Sequence, residues 1–356
     1  MVTSQTKRRL PNPQFWRGRK VALTGHTGFK GAWLSLVLEM LGAKVSGVAL
    51  APMGERNLFD AARIDQRVNG QFSDIRDYPQ LKNWLQSTEA EVVLHLAAQA
   101  LVRESYADPI KTMTTNFNGT LNVLEALREV PGCRSVVVVT TDKVYRNLEN
   151  AQAFVEDDPL GGHDPYSASK AACEILVESY AKSFLTDLGI ASARAGNVIG
   201  GGDWAADRLI PDAVRAWHSN QPLSIRRPEA VRPWQHVLEP ICAYLVLAEH
   251  LYSCTPTFST FNFGPSSESH VSVRTVIDQA STFWQGSSVA YASELQGPHE
   301  AGVLHLDCGK AKRELELTPL WEISKSIEKT MCWYRDFYHG DDAFNLCMRD
   351  IESYLC

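Results

Sequence analysis

The architecture of this chain is set near its N-terminus by the stretch Lys20-Val21-Ala22-Leu23-Thr24-Gly25-His26-Thr27-Gly28-Phe29-Lys30-Gly31. The apolar run before Gly25 predicts a buried strand, and the apolar periodicity from Ala32 to Leu41 predicts a helix. The glycines between them are spaced GxxGxxG, so they permit a tight turn and let backbone N–H groups approach a pyrophosphate. The stretch therefore predicts a strand, a turn and a helix that together could hold a dinucleotide.

The same alternation of short apolar strands and helical patterns continues outward from this stretch to about residue 190. Further strands are predicted over 45–50, 91–96, 135–140 and 190–196, with a short extended segment before Phe72. The nearly continuous valine of 135–140 is typical of a central parallel strand that is buried on both faces. We therefore predict an α/β fold with a doubly wound parallel sheet and a smaller, mixed C-terminal lobe.

The chain is predicted to divide into a tail and two domains. Residues 1–14 are polar and predict a flexible tail. The strand and helix patterns place 15–192 and 233–264 in the dinucleotide-binding domain. The remaining segments are expected to form the substrate-binding lobe, and they are 193–232 and 265–356.

The composition excludes several classes of protein. The 356 residues are 44% hydrophobic and 21% charged, as in an ordinary globular chain, and the net charge of -6 argues against a nucleic-acid partner. No apolar run approaches the roughly 20 residues of a membrane span, and we recognise no signal peptide. The eight cysteines are scattered and form no CxxC pair, which predicts a reducing, cytoplasmic compartment and no metal site.

A candidate base lies in the segment Tyr166-Ser167-Ala168-Ser169-Lys170. Pro165 suits the first position of a helix, so Tyr166 and Lys170 should share one helical face. A cation beside a phenol lowers a pKa that is about 10 in model peptides, and a phenolate can take a proton from an alcohol. Taken alone, the spacing is better explained by an exposed tyrosine and a solvated lysine, and the rest of the chain reverses that judgement.

Polar residues follow the predicted central strand in the run Thr140-Thr141-Asp142-Lys143. Doubly wound sheets place ligands at the carboxyl ends of such strands. Because the helix of Tyr166 and Lys170 is the next element and must return over the same crevice, we expect Thr141 and Asp142 to face it. Capping of the turn by Asp142 is the alternative.

Other candidate cofactor contacts lie at the ends of neighbouring strands. The small residues that follow His95 would let a flat cofactor lie close to the backbone, and Thr115 could bridge the cofactor and the backbone. Asp74 either contacts an adenine edge or caps the helix that begins at Arg76-Asp77. The candidate cofactor-binding residues are Gly25, Thr27, Gly28, Phe29, Lys30, Gly31, Asp74, Ile75, Leu96, Ala97, Ala98, Gln99, Thr115, Tyr166 and Lys170.

A glycine-rich loop and several arginines mark the candidate substrate side. The loop from Asn197 to Trp204 contains Gly200-Gly201-Gly202 and is too rich in glycine for packed core. Guanidinium groups match phosphate oxygens, so one or two of the arginines could hold a pyrophosphate, although each could equally form a salt bridge. These arginines are Arg208, Arg226, Arg227 and Arg232.

Taken together, four motifs resemble the extended short-chain dehydrogenase/reductases that act on nucleotide sugars, over about residues 15–335. They are the glycine turn, Leu96-Ala97-Ala98-Gln99, Thr141-Asp142-Lys143 and the Tyr166/Lys170 pair. Within that family, Thr-Asp after the fifth strand is typical of dehydratases. The Asp-Lys pair and Gly200-Gly201-Gly202-Asp203-Trp204 resemble the branch that acts on CDP-glucose.

The resemblance implies a Rossmann domain and an NAD-dependent hydro-lyase that converts CDP-glucose to CDP-4-dehydro-6-deoxyglucose in a deoxysugar pathway of the O-antigen type. In that family a bound NAD takes a hydride from C4 and returns it to C6. Tyr166 would take the hydroxyl proton, Lys170 would lower its pKa and hold the ribose, Thr141 would bond the 4-oxygen, and Asp142 would protonate the departing C6 hydroxyl. Matching positions imply substrate contacts at Asn197, Arg208, Leu209, Arg232, Asn262, His299 and Glu300.

Two positions depart from the family pattern. Related dTDP-glucose dehydratases carry Glu where this chain has Lys143, which is then either a neutral amine that takes the C5 proton or a charged group that stabilises the enolate. The second strand ends in Ala49-Leu50-Ala51-Pro52, without the acidic residue that often binds the adenosine ribose. The choice between NAD and NADP stays open there, since Arg56 could favour a 2′-phosphate or could simply be solvated.

Two other functions remain compatible with these motifs. A nucleotide-sugar 4-epimerase would share the Tyr166/Lys170 pair but would need no acid for C6, so Asp142 discriminates between them. A non-catalytic NAD-sensing scaffold would tolerate the loss of the Tyr166 hydroxyl. A homodimer or homotetramer is also expected, with the helical segments 112–128 and 171–185 as candidates for its packing.

Overall fold

The computed structural model of the chain describes residues 8–148, 152–254, 257–266, 270–291 and 304–356, and of residue 270 the backbone alone. Within these residues a seven-stranded sheet forms the centre of the molecule, and eight shorter strands lie outside it. The strands are β1 (Lys20–Thr24), β2 (Lys44–Ala49), β3 (Asn69–Phe72), β4 (Val92–His95), β5 (Ser135–Val139), β6 (Ala153–Phe154), β7 (Gly189–Ala195), β8 (Val198–Ile199), β9 (Leu223–Ile225), β10 (Val231–Pro233), β11 (Gln235–His236), β12 (Phe258–Phe263), β13 (His270–Ser272), β14 (Val289–Tyr291) and β15 (His305–Leu306).

The central sheet runs in the order β12-β7-β5-β4-β1-β2-β3, and every neighbouring pair in it is parallel. Helices cover both faces, so the predicted doubly wound α/β fold is confirmed. The helices are α1 (Pro13–Trp16), α2 (Phe29–Met40), α3 (Leu58–Ala61), α4 (Tyr78–Ser87), α5 (Val102–Ala107), α6 (Pro109–Met113), α7 (Gly119–Leu127), α8 (Pro165–Ser183), α9 (Leu209–His218), α10 (Leu238–Ser253), α11 (Val273–Ser281), α12 (Gly309–Leu315), α13 (Ile323–Tyr338) and α14 (Ala343–Leu355).

Two apolar cores hold the sheet between its helices. Successive residues of a strand point to opposite faces, and Val21 and Leu23 of β1 therefore join the core that contains α2 and α10. Ala22 between them joins the other core, with α4, α7 and α8. Burial of each large apolar side chain contributes about 1.5–3 kcal/mol. The two cores hold the parallel strands in place, so that all their carboxyl ends lie at the same end of the sheet.

The remaining strands form short pairs outside the central sheet. β10 pairs with β13 in antiparallel fashion, and β9 pairs with β14 in parallel fashion. The chain then returns to the sheet, because β12 lies at its edge beside β7. The boundaries given above for the two domains stay a prediction.

The N-terminal segment differs from the predicted flexible tail from residue 8 onward. Arg8 forms an ion pair with Glu239 at 3.1 Å, and the backbone N–H of Asn12 donates to Glu249 at 2.7 Å. The indole N–H of Trp16 donates to the same carboxylate of Glu249, also at 2.7 Å. Buried carboxylates need partners, and this segment supplies them. The polar composition of the segment alone could not reveal that requirement.

All eight cysteines lie within the described residues and are free thiols. None of the helices in the described part of the chain combines the length and apolarity of a membrane-spanning segment.

Candidate active site

A cavity of about 1360 Å³ opens at the carboxyl ends of the central strands and extends to β9 and α9. Its wall contains every candidate cofactor-binding residue and all three residues of the Thr141-Asp142-Lys143 turn. Of the candidate substrate contacts, it contains Asn197, Arg208, Leu209 and Arg232. The structure thus brings together residues that lie more than 200 positions apart in the sequence.

The glycine turn fits a dinucleotide pyrophosphate. Gly25 has a φ of +83°, and a Cβ atom there would lie 2.8 Å from the backbone N of Ala97, so only glycine allows the turn to approach the loop after β4 this closely. Gly28 is the N-cap of α2 and has no side-chain oxygen for the first N–H groups of that helix. Those groups remain available to an anion.

The adenosine end of the cavity contains no acidic residue from β2. The Thr27 hydroxyl donates to the carbonyl of Leu50 at 2.9 Å. Arg56, the candidate for a 2′-phosphate contact, donates instead to the hydroxyl of Tyr338 at 2.8 Å. Arg56 is therefore held by Tyr338 and is not simply a solvated side chain.

Asp74 lines the cavity, and its carboxylate accepts bonds from the backbone N–H and the guanidinium of Arg76. The hydrogen bond from the Arg76 guanidinium lowers the pKa of Asp74. The alternative that Asp74 caps the following helix is wrong, because Asp77 is the N-cap of α4 and accepts from the N–H of Gln80 at 3.1 Å.

The helix α8 places Tyr166 and Lys170 in the cavity wall. Pro165 is its first residue, and the Asp164 side chain caps it by accepting from the N–H of Ser167 at 2.9 Å. The side chains of Tyr166 and Lys170 are 8% and 5% exposed. The Lys170 ammonium donates to the carbonyl of Val139 at 3.0 Å, which ties α8 to the end of β5.

The pKa of Tyr166 differs in direction from the sequence-based expectation. Burial raises it to about 12, a hydrogen bond with the Thr141 side chain opposes that rise, and the charge of Asp142 adds to it. The Arg208 guanidinium lowers this pKa, and the Lys170 ammonium donates to the Val139 carbonyl. The sequence predicted the neighbouring cation but could not predict the desolvation that outweighs it.

The acid side of the site is a short 3-10 turn over Asp142–Val144. The Asp142 carboxylate is fully buried, and its Oδ1 accepts from the Thr141 hydroxyl and from the Lys143 ammonium, each at 2.9 Å. Its Oδ2 is buried and has no hydrogen-bond partner among the described residues. Lys143 also donates to Asn197 at 3.2 Å. Thr141, not Asp142, caps the turn, so the capping alternative for Asp142 is wrong.

The cavity concentrates positive charge. Lys30 of α2 lines it, and the pKa of Lys30 falls to about 7 because of burial and then because of Arg208, with smaller effects of Lys170 and Lys143. The charge of Asp142 opposes this decrease. Such a group of cations is suited to an anionic ligand such as a diphosphate.

The sequence did not single out two residues at the mouth of the cavity, Arg103 and Asp207. Arg103 of α5 forms an ion pair with Asp207 at 2.8 Å, and Arg226 lies 4.0 Å from the same carboxylate oxygen. Asp207 has a left-handed φ of 61°, which few residues other than glycine adopt. The neighbouring Arg208 pairs with Asp203 at 3.3 Å.

Three candidate substrate contacts have a different outcome. Asn262 does not line the cavity, because it is fully buried and accepts a bond from the Tyr145 hydroxyl at 2.6 Å. Its amide donates to the carbonyls of Phe154 and Asp307 at 2.9 and 3.1 Å. His299 and Glu300 lie outside the described residues.

The doubly wound sheet, the uncapped glycine turn and the buried side chains of Tyr166 and Lys170 meet at one cavity, an arrangement suited to a nicotinamide dinucleotide. Residues 21–264 match the sequence model of the NAD dependent epimerase/dehydratase family. The chain belongs to this family, its cofactor is NAD, and the resemblance found in the motifs is confirmed.

Individual relatives agree with this assignment. The chain is 42% identical over 349 residues to the CDP-glucose 4,6-dehydratase of Salmonella typhimurium, covering 96% of this chain and 97% of that protein. It is 26% identical over 294 residues to the UDP-glucose 4-epimerase of Mycoplasma pneumoniae, covering 78% and 85%. Its fold is shared with a UDP-glucose-4-epimerase from Stenotrophomonas maltophila, solved with bound NAD and formylated UDP-arabinopyranose. The TM-score is 0.79 at 22% identity, with 91% and 100% of the two chains covered.

Proposed function

We propose that this chain dehydrates CDP-glucose to CDP-4-dehydro-6-deoxyglucose and regenerates its NAD in each cycle. One observation carries the proposal. Tyr166 and the buried Asp142 lie on one cavity wall, close enough for the charge of Asp142 to raise the pKa of Tyr166, and the Thr141 hydroxyl beside them donates to Asp142 at 2.9 Å. An epimerase needs the phenol but not the acid. The relative that is 42% identical supplies the substrate in this proposal.

The glycine turn from Gly25 to Gly31 and the loop from Leu96 to Gln99 are the residues that would hold NAD. When bound, NAD supplies a hydride acceptor for C4 and a hydride donor for C6. The chain itself provides the pyrophosphate site at the start of α2 and the buried Lys170 beside the tyrosine.

The proton of the C4 hydroxyl passes to Tyr166. A phenol with a pKa of about 12 is a poor source of phenolate at neutral pH, so neighbouring positive charge has to lower that value during the reaction. The Arg208 guanidinium already acts in this direction. Thr141 can turn its hydroxyl proton from Asp142 to the C4 oxygen once Asp142 is itself protonated.

Asp142 and Lys143 act as one couple in the elimination. Transfer of one proton along their 2.9 Å contact converts the ion pair to a carboxylic acid and a neutral amine. The amine of Lys143 takes the C5 proton, while Asp142 protonates the C6 hydroxyl, which leaves as water. The elimination leaves the couple as the original ion pair, Lys143 returns its proton to C5 when C6 receives the hydride, and the proton that Tyr166 took from the C4 hydroxyl then restores the couple. Asn197 orients the amine by accepting from it at 3.2 Å.

The test is incubation of the purified chain with NAD and CDP-glucose, followed by mass spectrometry and by the alkaline absorbance of a 4-keto sugar. We expect loss of one water from the sugar and no net NADH. Asp142→Asn should still oxidise C4 but should slow the elimination about 10²- to 10³-fold, because it removes a general acid. A product of unchanged mass with inverted C4 would establish the epimerase instead. Parallel reactions with dTDP-, UDP- and GDP-glucose test the choice of nucleotide.

We also propose a cytoplasmic homodimer or homotetramer. Free cysteines suit a reducing compartment. Ile110 of α6 and Ile175 of α8 are 76% and 61% exposed, and these two helices contact each other, so together they present apolar surface to a partner. Light scattering of the wild type and of the double variant Ile110→Lys/Ile175→Lys tests the assembly. A monomeric wild type contradicts it.

A further inference from the structure

A charged pair lies buried behind the cavity wall. Glu174 of α8 and Arg194 of β7 are both buried, and the guanidinium donates to the carboxylate at 2.9 Å. Neither residue lines the cavity. Glu174 follows Lys170 by four residues and Tyr166 by eight, so the three side chains lie on one face of the same helix.

This pair holds both ends of the turn that carries Asp142 and Lys143. Thr140, two residues before the turn, donates a hydrogen bond from its hydroxyl to the Glu174 carboxylate. Arg194 donates to the hydroxyl of Tyr145, immediately after the turn, at 2.8 Å. The residues on both sides of the Asp142 turn are therefore bonded to one ion pair. One member of that pair, Glu174, lies on the same helix as Tyr166.

Further bonds leave the pair little freedom to move. Glu174 accepts from Ser192 at 2.5 Å, and Arg194 donates to the carbonyl of Glu156 at 2.9 Å. The Tyr145 hydroxyl donates to Asn262 at 2.6 Å. Apolar residues of similar size often replace a buried ion pair without loss of stability. Stability alone therefore does not account for a charged network at this place.

We propose that Glu174 and Arg194 are a positioning pair that sets the spacing between the Asp142 turn and the Tyr166 helix. This inference rests on the proposed dehydration. That reaction requires Tyr166 at C4 and the Asp142–Lys143 couple at C5 and C6 of one hexose. A displacement of about 1 Å can slow such a step about 10²-fold.

The experiment separates the two halves of the reaction. Oxidation of C4 is measured alone as NADH formation with CDP-6-deoxyglucose, which has no C6 hydroxyl to lose. The complete reaction is measured with CDP-glucose. Tyr145→Phe removes the hydroxyl that joins Arg194 to the exit of the turn. We expect the kcat of dehydration to fall about tenfold, C4 oxidation to fall less than about twofold, KM to stay unchanged and NADH to accumulate transiently.

Two further variants control this measurement. Arg194→Lys keeps the charge but cannot reach Glu174, Tyr145 and the Glu156 carbonyl together, and it lies outside the cavity wall, so its effect cannot come from contact with the ligand. Tyr252→Phe is the matched control. Its hydroxyl also accepts from an arginine of an ion pair, Arg19 at 3.0 Å, but it lies outside the cavity wall, so both half-reactions should be unchanged.

A selective loss of dehydration in Tyr145→Phe supports the positioning pair. An equal loss of both half-reactions indicates a structural role only and overturns it, as does no loss in either. Tyr145 lines the cavity, so if Arg194→Lys does not fold, Ser192→Ala takes its place, because Ser192 lies outside the cavity wall and donates to Glu174 at 2.5 Å. A wild type that oxidises CDP-glucose without losing water contradicts the proposed function itself, which distinguishes the two failures.

Discussion

The wall and the mouth of the cavity are built in different ways. At the wall, Tyr166, Lys170 and Asp142 are at most 8% exposed, and buried hydrogen bonds hold each of them. At the mouth, Arg103 and Asp207 pair at 2.8 Å, but their side chains are 33% and 41% exposed. The groups at the wall are therefore desolvated, whereas the charged groups at the mouth are solvated.

The difference follows from what each region has to do. Proton transfer depends on placement to within a fraction of an ångström, so its groups need a rigid, desolvated surrounding. Attraction of a diphosphate acts over a longer range and tolerates movement, so exposed side chains are sufficient. Substitutions at the wall should therefore have large effects, and substitutions at the mouth should have small, salt-dependent ones.

The largest effect is expected at the wall for Tyr166→Phe. Loss of the phenolic oxygen removes the base for the C4 hydroxyl, and kcat should fall about 10³-fold or more. Stability should change by only about 1 kcal/mol, because a single hydrogen bond with Thr141 is lost. Single-turnover NADH formation measures the first effect and urea unfolding the second. Retained function in a biological assay would instead favour the non-catalytic scaffold.

Behind the wall, Arg194→Met should lower the free energy of unfolding by about 3–5 kcal/mol, because it leaves the Glu174 carboxylate buried without its cation. The control is Arg63→Met. It breaks an ion pair with Asp342 that is 2.8 Å long, close to the 2.9 Å of Glu174 and Arg194, but that lies on an exposed surface. That change should cost about 1 kcal/mol or less. Urea unfolding of both variants tests the comparison, and equal losses would contradict it.

The sequence predicts the wall better than its surroundings for a physical reason. The strand–turn–helix over Lys20–Met40, the valine strand β5 and the spacing of Tyr166 and Lys170 are local patterns, and their consequences are local. Doubly wound topology then brings the ends of these elements together. The sheet and most of the cavity wall could be predicted on this basis.

Long-range partners could not be predicted in this way. Asn262 was expected to contact the substrate. It is instead buried and accepts a hydrogen bond from Tyr145, which lies 117 positions away in the sequence. The same limit applies to Arg8 and Glu239 and to the desolvation of Tyr166. One signal was available, since Arg194 is a charged residue in the otherwise buried strand Gly189–Ala195 and must have a partner.

Lys30 also lines the cavity and provides a test by pH. Its pKa is about 7 in the folded chain, against about 10.4 for an unfolded lysine, so the folded state binds fewer protons between these values. The stability of the wild type should therefore rise with pH across this window. Lys30→Met should be more stable than the wild type by about 4 kcal/mol at pH 7. Thermal unfolding should show this advantage disappearing as the pH approaches about 10, and a constant advantage would contradict the assignment.

The smallest effect is expected at the mouth, where the two halves of one ion pair should act in opposite directions. Asp207 competes with a diphosphate for Arg103 and Arg226, so Asp207→Asn should tighten the binding of CDP about two- to fivefold, and Arg103→Gln should weaken it by a similar factor. Asn tolerates the left-handed backbone of Asp207, which makes the substitution clean. Calorimetric titration at low and high salt measures both variants. If both weaken binding equally at every salt concentration, the pair is a fixed part of the fold, and the contrast between a rigid wall and an exchangeable mouth fails.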